Sequence, residues 1–173
     1  MQQEIGNSAG TLLDAAYRGD LARPGIALYG GNPFSDRPNP MEAVVTVTAP
    51  ILQLHDVDEP EPVGYGATYV ANPPARLAIV GIGYADGYPR NLGNCGTAAV
   101  EGRRVPVVGR VSMDLIVIDV TGVPSDAARV GAAVELIGPT VGVDEVAAAA
   151  DTISYEILTG LGRRLVREYV END

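Results

Sequence analysis

The apolar residues of this chain fall in short runs, and most of the runs carry the two-residue period of a strand. Residues 41–57 alternate, with Val45, Val47 and Ala49 set against Thr46 and Thr48. Pro50 interrupts them and predicts an edge, a bulge or two short strands. Residues 63–70 read as a short strand before a turn at Asn72-Pro73-Pro74, and residues 77–83, apolar on both faces, as a central strand. Residues 86–96 read as a loop. Residues 97–101 and 104–121 flank Glu101-Gly102-Arg103 as a hairpin, and 132–137 make another strand. Residues 26–29 between Pro24 and Gly30 read as a buried strand, and 164–170 as a last one.

Helical spacing is confined to the two ends. Leu12, Leu13, Ala16 and Tyr17 place a short helix or loop over 7–20, with Asn7 or Ser8 as its cap. Asp144 is placed to cap 145–150. Asp151 or Thr152 is placed to cap 153–161, whose stripe is Ile153, Ile157, Leu158 and Leu161. Three prolines in NPFSDRPNP, residues 32–40, mark a domain boundary. The pattern is therefore mainly β: residues 36–173 form an antiparallel, barrel-like domain with a small helical corner. Residues 1–35 are a remnant of something else, too short to fold alone.

Composition narrows the function. The 173 residues are 46% hydrophobic with a net charge of −10, a globular balance. That acidity argues against nucleic acid and anionic membrane surfaces, both of which want basic patches. No apolar run approaches a membrane span, and MQQEIGNSAG lacks the order of a signal peptide, so the chain reads as cytoplasmic. Cys95 is alone, which leaves no disulfide framework and no cysteine metal cluster. All 12 basic residues are arginine. Chemistry that runs through a lysine amine, including a Schiff base to pyridoxal phosphate, cannot be done by this polypeptide alone.

Candidate chemistry concentrates in residues 63–90, which hold four of the eight tyrosines and five glycines. Tyr65 sits between Gly64 and Gly66, where backbone can turn tightly or approach another body. Along 104–119 a period-two reading puts Val105, Val107, Val111, Met113, Leu115 and Val117 on one face and Arg110, Ser112 and Asp114 on the other. That polar trio fits a face covered by another body or a solvated ion pair, and a bulge at Gly109 would shift the register. Tyr155 lies off its helix stripe in the first turn, where anions are favoured; it also fits a half-exposed packing tyrosine. His55 receives no role.

The motifs NSAG, RPGIALYG, VGYGATY, GYADGYPR, GRVSMD, DEVA and TISYEILTGLGRR occur in this order. The series strongly resembles the C-terminal part of alanine racemase, a pyridoxal-phosphate enzyme. The resemblance implies that residues 1–35 are the end of a cofactor-binding (β/α)₈ barrel and 36–173 the β domain. It also implies that the active site is completed against the barrel of a second subunit in a head-to-tail homodimer, with L- and D-alanine as substrates. On matching positions, Tyr65 is the proton carrier for L-alanine. Tyr84 narrows the substrate path, and Arg90 and Arg110 lie near it. The Met113 N–H meets the substrate carboxylate, with Asp114 at the rim. Tyr155, Ser8, Gly25 and Ile26 contact the cofactor phosphate, and Arg23 faces the pyridine nitrogen. Tyr69 and Tyr88 are expected to be structural.

Two departures stand out. The lysine-bearing barrel segment is missing, and Glu4 stands where many members have histidine. The chain therefore reads as a truncated, split or re-initiated product, inactive alone and prone to self-association through surfaces that normally meet the barrel. A non-catalytic β module that binds a partner chain or small ligand is the alternative of a different class. A fragment of a related pyridoxal-phosphate racemase or decarboxylase is the alternative within enzymes.

Overall fold

In the computed structural model, which describes residues 6–170, six strands close into an antiparallel barrel. They are β1 (Val47–Val57), β4 (Ala75–Val80), β5 (Thr97–Val100), β6 (Arg103–Val108), β7 (Ile116–Asp119) and β8 (Ala133–Ile137), in the spatial order β1-β4-β7-β6-β5-β8. Two further strands, β2 (Glu61–Val63) and β3 (Tyr69–Ala71), form a separate two-stranded hairpin. The inner face is filled by alternate residues: Val47, Ala49 and Ile51 of β1, Ala78 and Val80 of β4, Val105 and Val107 of β6, and Ile116 and Ile118 of β7. Fully burying side chains of this size contributes roughly 1.5–3 kcal/mol each.

The run at 77–83 is apolar on both faces for a reason the barrel makes plain. Its inward residues join the main core. Leu77 instead joins a small second cluster with Val57, Val63, Ala71 and Val108, against which Tyr69 and Val117 also pack. This cluster lies under the β2–β3 hairpin and fixes the hairpin to the outside of the barrel. Residues 63–70 are thus not one strand. They are the end of β2, a 3₁₀ turn at Tyr65–Ala67 and the start of β3.

Pro50 stays inside one continuous β1, and of the alternatives the bulge is realised. β1 pairs with β8 from Val47 to Pro50 and with β4 from Ile51 onward, with a register shift between Ile51 and Gln53. The missing proline N–H falls where the strand changes partner. The 97–101 and 104–121 expectation is half met. Glu101 (φ 46°) and Gly102 (φ 74°) make a two-residue turn of the kind that suits a hairpin, and Arg103 already belongs to β6. The second run is broken in two: Gly109, at φ 72°, ends β6, and β7 returns to pair with it. Residues 110–115 are loop, so no strand face carries Arg110, Ser112 and Asp114 together.

The ends differ more. Residues 26–29 form a 3₁₀ turn, with Ile26 buried and Leu28 and Tyr29 exposed, not a strand. Residues 164–170 lie in no strand, and Val166, Tyr169 and Val170 are fully open to solvent. α1 (Ser8–Leu13) is capped by the Asn7 side chain, which accepts from Gly10 N at 2.9 Å. α2 (Val143–Ala149) and α3 (Ser154–Gly160) pack on each other and reach the barrel core through Val143, Val146, Ala147 and Ile157. Neither has the expected side-chain cap, and Ile153 is exposed rather than part of a buried stripe. Glu4 lies outside the described residues. Among the described residues no helix is long and apolar enough to cross a membrane.

Candidate active site

Tyr65 stands on the 3₁₀ turn between β2 and β3, 73% exposed. The turn lies close on the loop that follows β6. Gly66 has φ 74°, and a Cβ there would sit 2.8 Å from the Arg110 Nη1. A side chain at this position would be strained and would displace the guanidinium. The Arg110 side chain therefore lies beside the tyrosine turn, and it has no acidic partner among the described residues.

Met113 and Asp114 occupy the tip of a tight turn. Ser112 N donates to Leu115 O at 3.0 Å, and the Ser112 hydroxyl both donates to Leu115 O and accepts from Leu115 N. This is serine turn chemistry, which the period-two reading missed because apolar residues continue through the loop. The Met113 N–H projects from the turn with no partner among the described residues, and the side chain is 53% exposed.

The GYADG segment clamps this turn from the other side. Tyr84 N donates to Ser112 O at 3.0 Å, and Ala85 N to Met113 O at 2.9 Å. Gly83 packs so closely that a Cβ would lie 2.4 Å from the Ser112 and Met113 carbonyl oxygens. Asp86, nearly buried, accepts from Gly83 N at 2.9 Å. Its other oxygen lies 3.2 Å from Arg164 Nε, and Arg164 Nη2 donates to Asp114 Oδ1 at 2.7 Å. Hydrogen bonding to Asp114, and then the charge of Asp86, raise the Arg164 pKa above its ordinary value. Gly162 N closes the clamp on Asp86 O at 2.9 Å. Asp86 and Arg164 were not singled out in the sequence; the quoted GYADG and GLGRR motifs contained them.

A second group forms at the chain start. Ser8 is buried, and its hydroxyl accepts from Gly25 N at 2.8 Å and from Ala27 N at 3.3 Å. The Ile26 N–H between them has no partner among the described residues. Gly31 lies against both the Ile26 side chain and Ser154, so this group borders the start of α3, where Tyr155 is 47% exposed. Asp144 ties the region together. It accepts from Asn32 N at 3.0 Å, from Asn39 Nδ2 at 2.9 Å and from the Ser154 hydroxyl. Its bonds to the linker and to α3 replace the cap expected for α2. α3 then runs from this group to Gly160, which packs on Gly87 beside the clamp.

Arg90 is exposed at the start of a 3₁₀ turn whose Leu92 is buried. Arg23 is exposed, its backbone N–H donating to Gly6 O at 2.6 Å. A cavity of about 220 Å³ is lined by Asn39 and Asp144 among others and one of about 330 Å³ by Gly87 and Gly160 among others, and neither is lined by any predicted site residue. Apart from the buried Ser8 and Ile26, the predicted residues lie on open surface. Among the described residues no cluster of His, Cys, Asp and Glu could hold a metal.

Residues 44–169 match the profile of the alanine racemase C-terminal domain. The chain belongs to the alanine racemase family. It is 51% identical over 169 residues to the alanine racemase of Rhodospirillum rubrum, covering 98% of this chain and 45% of that protein. It is 53% identical over 167 residues to the alanine racemase of a Methylobacterium species, covering 96% and 46%. Among solved structures it resembles the alanine racemase of Bartonella henselae with covalently bound pyridoxal phosphate. The TM-score is 0.90 at 43% identity, covering 98% of this chain and 47% of that one. The chain thus spans about half the length of the alanine racemases it matches.

Proposed function

We propose that this chain supplies the C-terminal part of a pyridoxal-phosphate-dependent racemase that interconverts L- and D-alanine, with Tyr65 as one of two proton carriers. The observation that carries the reading is a set of unpartnered donors on a bonded frame. The Met113 N–H stands open on a turn whose backbone is tied down, and the Arg110 guanidinium stands beside the Tyr65 turn without an acidic partner among the described residues.

The Met113 N–H is placed to receive the alanine carboxylate, and the clamp of Tyr84, Ala85 and Asp86 keeps that donor fixed. Tyr65, on the neighbouring turn, takes or returns the α-proton at its phenol oxygen. The Arg110 guanidinium, against Gly66 of the same turn, supplies positive charge beside it. Inversion needs a second carrier on the opposite face of the α-carbon. No lysine is present among these 173 residues, so that carrier and the covalent anchor of the cofactor come from residues outside them.

The residues fit the cofactor's phosphate. The open Ile26 N–H and the buried Ser8 hydroxyl are neutral groups of the kind a phosphate takes at a turn start, and Tyr155 stands in the first turn of the neighbouring α3. When bound, the cofactor draws electrons from the alanine α-carbon and makes its proton acidic. Arg23, facing the ring nitrogen by its match to the family motif, disfavours protonation there because two positive charges would meet. Residues 1–35 are read as the end of the barrel, which the parallel bridge between Gly6 and Ala22 supports. The partner surface is the barrel of a second subunit.

The test is a chimera that joins the N-terminal part of the Rhodospirillum rubrum relative to this chain. With pyridoxal phosphate and L-alanine it should form D-alanine, and the 173-residue chain alone should not. A folded chimera without turnover would sink the assignment. Turnover by these 173 residues alone would sink the need for residues outside them.

A further inference from the structure

The Tyr65 turn meets the barrel at few points. Its two flanking strands are three residues long, and its one internal backbone bond, Ala67 N to Gly64 O, is 3.4 Å. One side chain outside all the recognised motifs joins it to the Arg110 loop. Asn94, in the left-handed region at φ 66°, donates from Nδ2 to the Thr68 hydroxyl at 3.1 Å and to Thr68 O at 3.5 Å. Its Oδ1 accepts from Gly109 N at 2.6 Å. Thr68 directly follows the Tyr65 turn, and Gly109 directly precedes Arg110. The preceding Gly93 brings this segment so close that a Cβ would lie 2.8 Å from Gly109 O.

We infer that Asn94 is a positioning residue that sets the Tyr65 turn against Arg110, and so sets the proton carrier beside its cation. The inference rests on Tyr65 having the role proposed above. The amide is suited to the task because it carries a donor and an acceptor on one rigid plane, and Asn tolerates the left-handed backbone. Aspartate keeps the acceptor for Gly109 and loses the donor for Thr68. Valine at position 68 removes the hydroxyl that accepts. The two substitutions break the same link from opposite ends without touching Tyr65, Arg110 or Met113.

The 173-residue chain is compared by ¹H–¹⁵N NMR as wild type, Asn94→Asp, Thr68→Val and the double variant. The Gly66 amide and Arg110 Nε signals should shift in both single variants, and the core signals of β4 and β7 should stay in place. In the chimera, Asn94→Asp and Thr68→Val should each lower kcat about tenfold, the scale of a misplacement far below 1 Å, with KM changed less than twofold. The deuterium isotope effect on α-deuterated L-alanine should rise, because the Tyr65 step becomes more limiting. The double variant should fall no further than either single one. Unmoved Gly66 and Arg110 signals, or kcat losses that multiply in the double variant, would overturn the inference. A chimera inactive before any substitution would count against the Tyr65 role alone, and the NMR comparison would still decide whether Asn94 sets the turn.

Discussion

The two turns that present chemistry from this barrel are built differently. The 112–115 turn, with Met113 at its tip, is gripped by two backbone hydrogen bonds from GYADG and by the Asp86–Arg164–Asp114 chain of ion pairs. The Tyr65 turn hangs from a two-stranded hairpin, kept in place by a small apolar cluster, the close glycines Gly64, Gly66 and Gly109, and one asparagine. The first arrangement suits a group that must hold a carboxylate in one place. The second leaves the proposed proton carrier dependent on a few contacts, so single substitutions around it should register in rate more than in stability.

The comparison can be broken most sharply at Tyr65 itself. Tyr65→Phe in the chimera should cost about 10³-fold in kcat, within the usual range for losing a general acid–base group. The exposed ring should leave the urea midpoint unchanged; a lost midpoint would mean that the turn is structural after all. A smaller effect, and on stability instead, is expected at Asp144→Ala. It strands donors on Asn32, Asn39 and Ser154 and should cost about 2 kcal/mol in urea unfolding. Arg164→Met comes next. The backbone bonds of the clamp survive it, so KM for alanine should rise about fivefold with kcat nearly constant, on the scale of a lost ionic hydrogen bond. A fall in kcat with constant KM would mean that the clamp serves the proton step.

The smallest effect is expected at Tyr88, buried in the core with a hydroxyl that has no protein partner among the described residues. Tyr88→Phe should be about 1 kcal/mol more stable at pH 7. Burial first, and the nearby Cys95 second, raise the Tyr88 pKa well above the ordinary tyrosine value. The folded state therefore holds this proton more tightly than the unfolded chain. Above pH ~10 the wild type should lose about 1.4 kcal/mol per pH unit from this group alone, a slope absent in the phenylalanine variant. Equal slopes would place the Tyr88 ring in solvent.

Much of the barrel was legible because its strands alternate cleanly; β4, β5 and β8 lie where the pattern puts them. The failures have physical causes. Residues 104–121 look like one strand because Val111 is buried in the loop, and only the positive φ at Gly109 shows that the chain turns. Residues 164–170 have strand composition but no neighbour to pair with. Residues 26–29 are too short for periodicity to separate a 3₁₀ turn from a strand. At the candidate site, the motifs contained Tyr65, Arg110 and Met113, which the fold brings onto turns packed beside one another or clamped by GYADG. They did not contain Asn94, and DEVA contained Asp144 without its role, which lies in bonds to residues 10 to 112 positions away along the chain.

Closing the sheet on itself also decides how the chain can aggregate. A closed barrel offers no row of unpaired N–H and C=O groups to another molecule, and that row is the usual template for adding strands. Among the described strands, β2 and β3 alone keep open edges. Strand-by-strand growth would therefore have to begin on the hairpin that carries Tyr65. Whatever caps that edge would both keep the chain soluble and cover the tyrosine.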